Sequence, residues 1–233
     1  MQILRSWDWK KRYTPPVELR KARSLTNVIR VKPIVPGLDL DGLRRSDICL
    51  VTADAMCLSD DVKAFEEWGI VHDVYCLNRS LLYFERPVRH WAAVDQEEGA
   101  WFTEFANEKS SPEACTVRHT MGTCGGYDVY WQMDLDEENP HHKDLWPGST
   151  GYFGVLTSIF MGYKKIILAG MPLDRTGHFY EPPGTDGPCW IGACYTQWMD
   201  FKMQSPDADK VRSMSGYTAF MMGKASKEWV EQC

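Results

Sequence analysis

The stretch "GSTGYFGVLTSIFMGYKKIILAG" runs from Gly148 to Gly170. A loop of small residues leads into an apolar run of helical length. A glycine, a lysine pair, a short aliphatic run and another glycine follow. The pattern predicts a helix over 151–162 and a strand over 166–170. Local reading leaves two uses for the loop Gly148-Ser149-Thr150-Gly151. It can be an ordinary Ser/Thr N-cap with glycines for a tight turn. It can also be a phosphate cradle. A helix N-terminus offers free N–H groups and the positive end of the helix dipole, and glycine lets a ligand approach the backbone. The loop is not a Walker motif, because no lysine follows the glycine, and it is not the GxGxxG dinucleotide fingerprint.

Outward from this stretch, short aliphatic runs alternate with helical ones. "SDICLVTADAM" (46–56), "HDVYCLN" (72–78), "HWAAVD" (90–95) and "CTVRHT" (115–120) read as strands. "SDDVKAFEEWG" (59–69) reads as a helix capped by Ser59 or Asp60 and ended by Gly69. "EGAWFTEFANE" (98–108) is a second such segment, and residues 121–147 are loop-rich and resist assignment. "DKVRSMSG" (209–216) reads as a strand end and turn, and 217–232 as a closing helix broken at Gly223. Strands alternating with helices predict an α/β fold with a mainly parallel sheet and helices on both faces. The organisation expected is a basic N-terminal arm over 1–45 and a nucleotide-binding domain over 46–233. In such sheets ligands bind at the carboxyl ends of the strands. The residues expected there are Thr52–Asp54, Asn78, Asp95, Arg118–Thr120, Gly170–Asp174 and Arg212–Gly216.

Composition bounds the partners. The 233 residues include 44% hydrophobic and 25% charged, ordinary for a globular chain with a sizeable core. No run of 18 apolar residues exists and the first residues lack a signal-peptide core, so a cytoplasmic protein with no membrane partner is expected. The eight cysteines form no CxxC pair, and Cys189 and Cys194 have no histidine between them. Reduced thiols and no zinc site follow. Residues 1–33 hold nine Lys/Arg and two Asp/Glu, a balance of +7, which leaves −13 for the other 200 within the net −6. The acidic body argues against a nucleic-acid partner. The basic arm, with Trp7, Trp9 and Tyr13, is expected to pack on that body or on another subunit of a homo-oligomer.

The run "TGYFGVLTSIFMGYKKIILAGMPLD" (150–174), with "CLN" ending at Asn78 and "AAVD" ending at Asp95, resembles a Rossmann-like superfamily. It contains the bacterial CMP-sialic acid-dependent sialyltransferases and the MptE-like proteins, named for an archaeal 6-hydroxymethylpterin diphosphokinase. The "VRSMSG" turn (211–216) looks like the phage or prophage branch, which implies the host cytoplasm. In those sialyltransferases the Ser/Thr-Gly loop and an asparagine ending the second strand contact the nucleotide. Those positions match Thr150, Gly151 and Asn78 here. Ser149, Gly170, Asp54 and Ser215 are the further nucleotide-binding candidates. Three departures are visible. "VTADAMCLS" (51–59) replaces a glycine-rich first loop, Pro172 stands where an acid normally falls, and Met214 stands nearest the catalytic histidine's place. A methionine cannot act as a general base.

The candidates for chemistry are therefore others. His178, with Tyr180 beside it, follows the strand ending at Gly170, in a loop shaped by a glycine and prolines. His119 ends the fourth strand. Arg212 or Arg175 would neutralise leaving-group charge, and Asp174 is the first acid after the hallmark strand. "DLDEENPHHK" (134–143) is read as a solvated loop and the aromatics of 189–201 as packing. Three functions stay open. The first is a transferase using a nucleotide-activated donor and a small-molecule acceptor, glycosyltransferase-like. The second is an Mg2+-dependent diphosphokinase on a pterin-like substrate, with Asp54, Asp95 or Asp174 as metal ligands. The third is a non-catalytic phage factor that binds a nucleotide or a host protein.

Overall fold

The computed structural model describes residues 31–34, 39–94, 115–121, 127–133, 149–185 and 191–232. Residues 1–30, Asp95, the segments expected as a helix at 98–108 and a loop at 134–143, and Gly148 lie outside them. The described residues form an eight-stranded sheet: β1 Val31–Pro33, β2 Ile48–Thr52, β3 Asp73–Leu77, β4 Val88–Ala92, β5 Cys115–Met121, β6 Val129–Met133, β7 Lys165–Ala169 and β8 Val211–Ser213. The spatial order is β1-β6-β5-β4-β3-β2-β7-β8. Every described pairing is parallel except β1 with β6. The helices are α1 Leu58–Glu66, α2 Thr150–Phe160, α3 Ile191–Gln204, α4 Gly216–Met222 and α5 Lys227–Glu231.

Strands β2, β3 and β7 are near-continuous aliphatic runs because both faces are covered. On one face Cys49, Val51, Tyr75, Leu77 and Ile166 pack with Phe153, Val155 and Leu156 of α2 and with Trp198 and Phe201 of α3. On the other face Leu50, Ile167 and Ala169 pack with Leu58, Val62 and Phe65 of α1 and Val230 of α5. Each large apolar side chain so buried contributes about 1.5–3 kcal/mol. Helix α2 lies close to the sheet at Gly154, where a Cβ would come 2.9 Å from Leu77 Cδ2.

Three features differ from expectation. Residues 31–33, within the stretch expected as an arm, are a sheet strand. Val129 and Trp131 of the unassigned stretch are buried and alternate with the less buried Tyr130 and Gln132, which makes β6 a half-buried strand. In α1 the cap position falls on Cys57, so Ser59 and Asp60 lie inside the first turn. The expected break at Gly223 is present: its φ of 97° separates α4 from α5.

Candidate functional site

Strand β2 has β3 on one side and β7 on the other, so the strand order reverses at β2. The crevice outside the carboxyl ends of such neighbours is where ligands enter parallel sheets. Beyond β2 the chain continues as Ala53–Met56. Ala53 and Ala55 donate to the carbonyls of Ala169 and Gly170 at 2.9 and 3.1 Å. The loop after β7 then returns along the same segment: Met56 N donates to Gly177 O at 3.0 Å and Phe179 N to Asp54 O at 2.9 Å. Ala55 and His178 form an antiparallel bridge.

Gly170 makes this crossing possible. Its φ is +64° and a Cβ there would lie 2.2 Å from Ala53 O. Its N–H donates to Asp61 Oδ2 at 2.9 Å, and Ser215 Oγ donates to the same oxygen at 2.7 Å. Gly170 and Ser215, both expected beside a nucleotide, are thus gathered around the buried Asp61. Ser215 Oγ also lies 3.3 Å from Cys57 Sγ. Burial, opposed by that hydroxyl, pushes the Cys57 thiol up to about 12, so it is not a nucleophile at neutral pH.

The helix N-terminus lies against the end of β3. Asn78 has φ +50°, its carbonyl accepts from Trp91 Nε1 at 3.0 Å, and its Nδ2 donates to Thr150 Oγ1 at 3.3 Å. Ser80 braces the turn, accepting from Leu77 N at 2.9 Å and donating to Thr52 O at 2.9 Å. Ser149 is the N-cap of α2, its Oγ accepting from Tyr152 N at 3.2 Å. That leaves the N–H groups of Thr150 and Gly151 unpaired among the described residues. Gly151 is packed tightly: a Cβ would meet Met171 Sδ at 2.7 Å. The loop is therefore a capped corner, with Ser149 as the N-cap of α2.

A charged cluster completes the rim. His178 Nδ1 lies 2.9 Å from Glu181 Oε2, which also accepts His178 N–H at 2.7 Å. His178 Nε2 faces Asp54 Oδ1 at 3.8 Å. The His178 and Tyr180 rings stack with centroids 5.2 Å apart and planes 4° apart. Tyr180 Oη reaches toward Asp54 Oδ2 at 3.4 Å, and the Arg79 guanidinium lies 4.7 Å from the Tyr180 ring centroid. Burial raises the Asp54 carboxyl above its ordinary range, opposed by His178. Sequence reading named Asp54 among the nucleotide-binding candidates; here it faces an imidazole and a phenol, with a cation close by. Glu181 was missed, although a carboxylate three residues after a histidine in a proline-flanked turn was a readable signal. Asp61 was missed because its partners lie 109 and 154 residues away.

The other candidates stand apart from this cluster. Asp174 accepts from Thr176 N at 3.0 Å and from Thr176 Oγ1, closing a local turn. Arg212 packs against Gly223 and over Trp229, 5.5 Å from the ring centroid. Its Nε is buried without a partner among the described residues. Arg175 is exposed. His119 is fully buried in a chain of hydrogen bonds. Trp131 Nε1 donates to His119 Nδ1 at 3.0 Å, His119 Nε2 meets His90 Nδ1 at 2.9 Å, and His90 Nε2 meets Tyr163 Oη at 2.8 Å. Tyr163 Oη donates to Asp73 Oδ2 at 2.8 Å, which also accepts Arg45 N and Ser46 N at 2.8 and 3.2 Å. An indole N–H only donates, so each tautomer is fixed: His119 and His90 both carry the proton on Nε2. Burial pushes His119 down to about 3, and burial together with His119 pushes His90 well down.

Among the described residues no three His, Cys, Asp or Glu side chains converge to hold a metal ion, and no helix is long and apolar enough to cross a membrane. Comparison with protein-family models, with curated proteins and with solved structures finds no match to this chain.

Proposed function

We propose that this chain is a Rossmann-like transferase using a nucleotide-activated donor, most simply a glycosyltransferase-like enzyme of the host cytoplasm. The observation that carries the reading is His178, held by Glu181 and facing Asp54 on the same rim as the Thr150–Asn78 contact. In this reading the donor phosphates sit on the first-turn amides of α2, at Thr150 and Gly151, with Asn78 beside the nucleotide. His178 Nε2 takes the proton of an acceptor hydroxyl as its oxygen attacks the donor's electrophilic carbon. The nucleotide phosphate leaves with the bonding pair, and the helix N-terminus and Arg79 oppose its charge. The proton stays on Nε2, where Asp54 balances the imidazolium. The Asp54 carboxylate at the gap disfavours an anionic acceptor group. The resemblance over 150–174 to the MptE-like and sialyltransferase superfamily is consistent with this reading, with His178 serving where Met214 cannot.

Thermal-shift measurement with CMP, UDP, GDP, ATP and pterins, with and without Mg2+, tests it. Stabilisation by a nucleoside mono- or diphosphate is expected. A response only to ATP with Mg2+ would move the reading to diphosphate transfer, and no response to any nucleotide would remove both. Thr150→Asp places a negative charge at the phosphate position and should abolish the response; survival of binding would put the site elsewhere.

A further inference from the structure

The reading of His178 as the base leaves one question. A neutral imidazole has two tautomers, and only one presents a lone pair at Nε2. We infer that Glu181 is a positioning residue that fixes His178 as the Nδ1–H tautomer and aims its Nε2 lone pair at the gap beside Asp54. The inference deepens the proposed function and rests on it for its catalytic meaning, while the geometry stands by itself.

Glu181 Oε2 accepts two hydrogen bonds from one residue, His178 N–H at 2.7 Å and Nδ1 at 2.9 Å. Those bonds, the backbone one foremost, hold the Glu181 carboxyl below the usual range. An ionised carboxylate only accepts, so the proton of the bond to His178 belongs to Nδ1. The parallel Tyr180 ring at 5.2 Å restricts the imidazole plane. A flipped ring would carry Nδ1 away from Glu181, so tautomer and orientation are set together. The groups that then face the imidazole are Asp54, just beyond β2, and Tyr180 and Glu181 on its own loop, while Arg79 lies over the Tyr180 ring. The 3.8 Å between Nε2 and Asp54 Oδ1 is too long for a direct hydrogen bond. It is a span that a water or an acceptor hydroxyl closes. In water imidazole favours the Nε2–H form. That form would point a proton at the acceptor and could not take one.

The test is the tautomer itself. The full chain, labelled with 15N-histidine, is examined by long-range 1H–15N correlation about two pH units above the ordinary imidazole value. The His178 signals among the six histidines are assigned by their loss in His178→Asn. In the wild type, the proton is expected on Nδ1. Glu181→Gln, whose amide oxygen still accepts, should keep it there. Glu181→Leu should move most of the population to Nε2–H. A wild-type proton on Nε2, or no change in Glu181→Leu, would overturn the inference. In parallel, Glu181→Leu should bind CMP, UDP, GDP or ATP as the wild type does, because the α2 amides are untouched. Loss of that binding in the variant alone would overturn a role confined to His178. If the wild type binds none of the four, the proposed function falls while the tautomer result still decides the role of Glu181.

Discussion

The described histidines at the rim and in the core are opposites. His90 and His119 are fully enclosed, with both ring nitrogens of each engaged by partners at 2.8–3.0 Å. His178 sits on a loop with one nitrogen held and the other facing a 3.8 Å gap. A complete set of partners fixes a side chain and leaves it nothing to react with. One nitrogen held and the other turned toward a carboxylate is the layout a proton-transfer group needs. The contrast separates imidazoles closed on both nitrogens from one held on a single nitrogen, without reference to sequence position.

Variants in the core and at the rim test this difference. The largest effect is expected from Asp73→Ala, which strips the acceptor from the buried Tyr163 hydroxyl and from two backbone N–H groups. A loss of about 3–5 kcal/mol in urea unfolding is expected, the scale for buried polar partners left unsatisfied. A loss under about 1 kcal/mol would mean that the core chain is not structural. Next is acid. His119 binds its proton near 3 when folded against 6.5 ordinarily. Between those values the unfolded chain binds more protons, so stability falls as the pH drops below about 6.5. The slope approaches about 1.4 kcal/mol per pH unit for each such histidine. Urea unfolding as a function of pH checks it, and His119→Leu, weaker at neutral pH, should lose less on acidification. Asn78→Ala should cost about 1–2 kcal/mol, because alanine pays for φ +50° and the Thr150 contact is lost. If Asn78 also holds the nucleotide, the thermal shift with the bound nucleotide should shrink in the same variant. The smallest effect is His178→Asn, within about 0.5 kcal/mol of wild type in urea unfolding. A large loss there would erase the distinction between rim and core.

Sequence reading reached the elements built from local signals. The aliphatic runs at β2–β5 and β7, the helix-length run of α2, and the break at Gly223 were visible because period, caps and glycines are short-range. Strand β1 was not visible, because its pairing lies with Val31 opposite Met133, about a hundred residues on. Strand β6 was hidden by aromatic and polar residues that only the position of α2 sorts into inner and outer faces. The site divides in the same way. Asn78 and Thr150 were named and the structure brings them into contact, while Asp54 was named for its oddity and meets His178. That meeting depends on a loop folding back onto a residue 124 positions earlier, and no spacing rule contains it. His119 and Arg212 looked like rim residues from their places at strand ends. A strand end says nothing about which face a side chain takes, and both turn into packed surroundings.

The core chain from Trp131 to Asp73 has a further consequence. It begins at a group that can only give a hydrogen bond and ends at one that here only receives them. A proton relay must be able to reset, with every link reversing direction after each passage. An indole cannot accept, so this chain has no reversed state. Five side chains linked by four short hydrogen bonds thus look like a conduit through the sheet and cannot act as one. Their polarity is locked once folding is complete, and they tie β3, β4, β5, β6 and the turn before β7 to a single arrangement of protons.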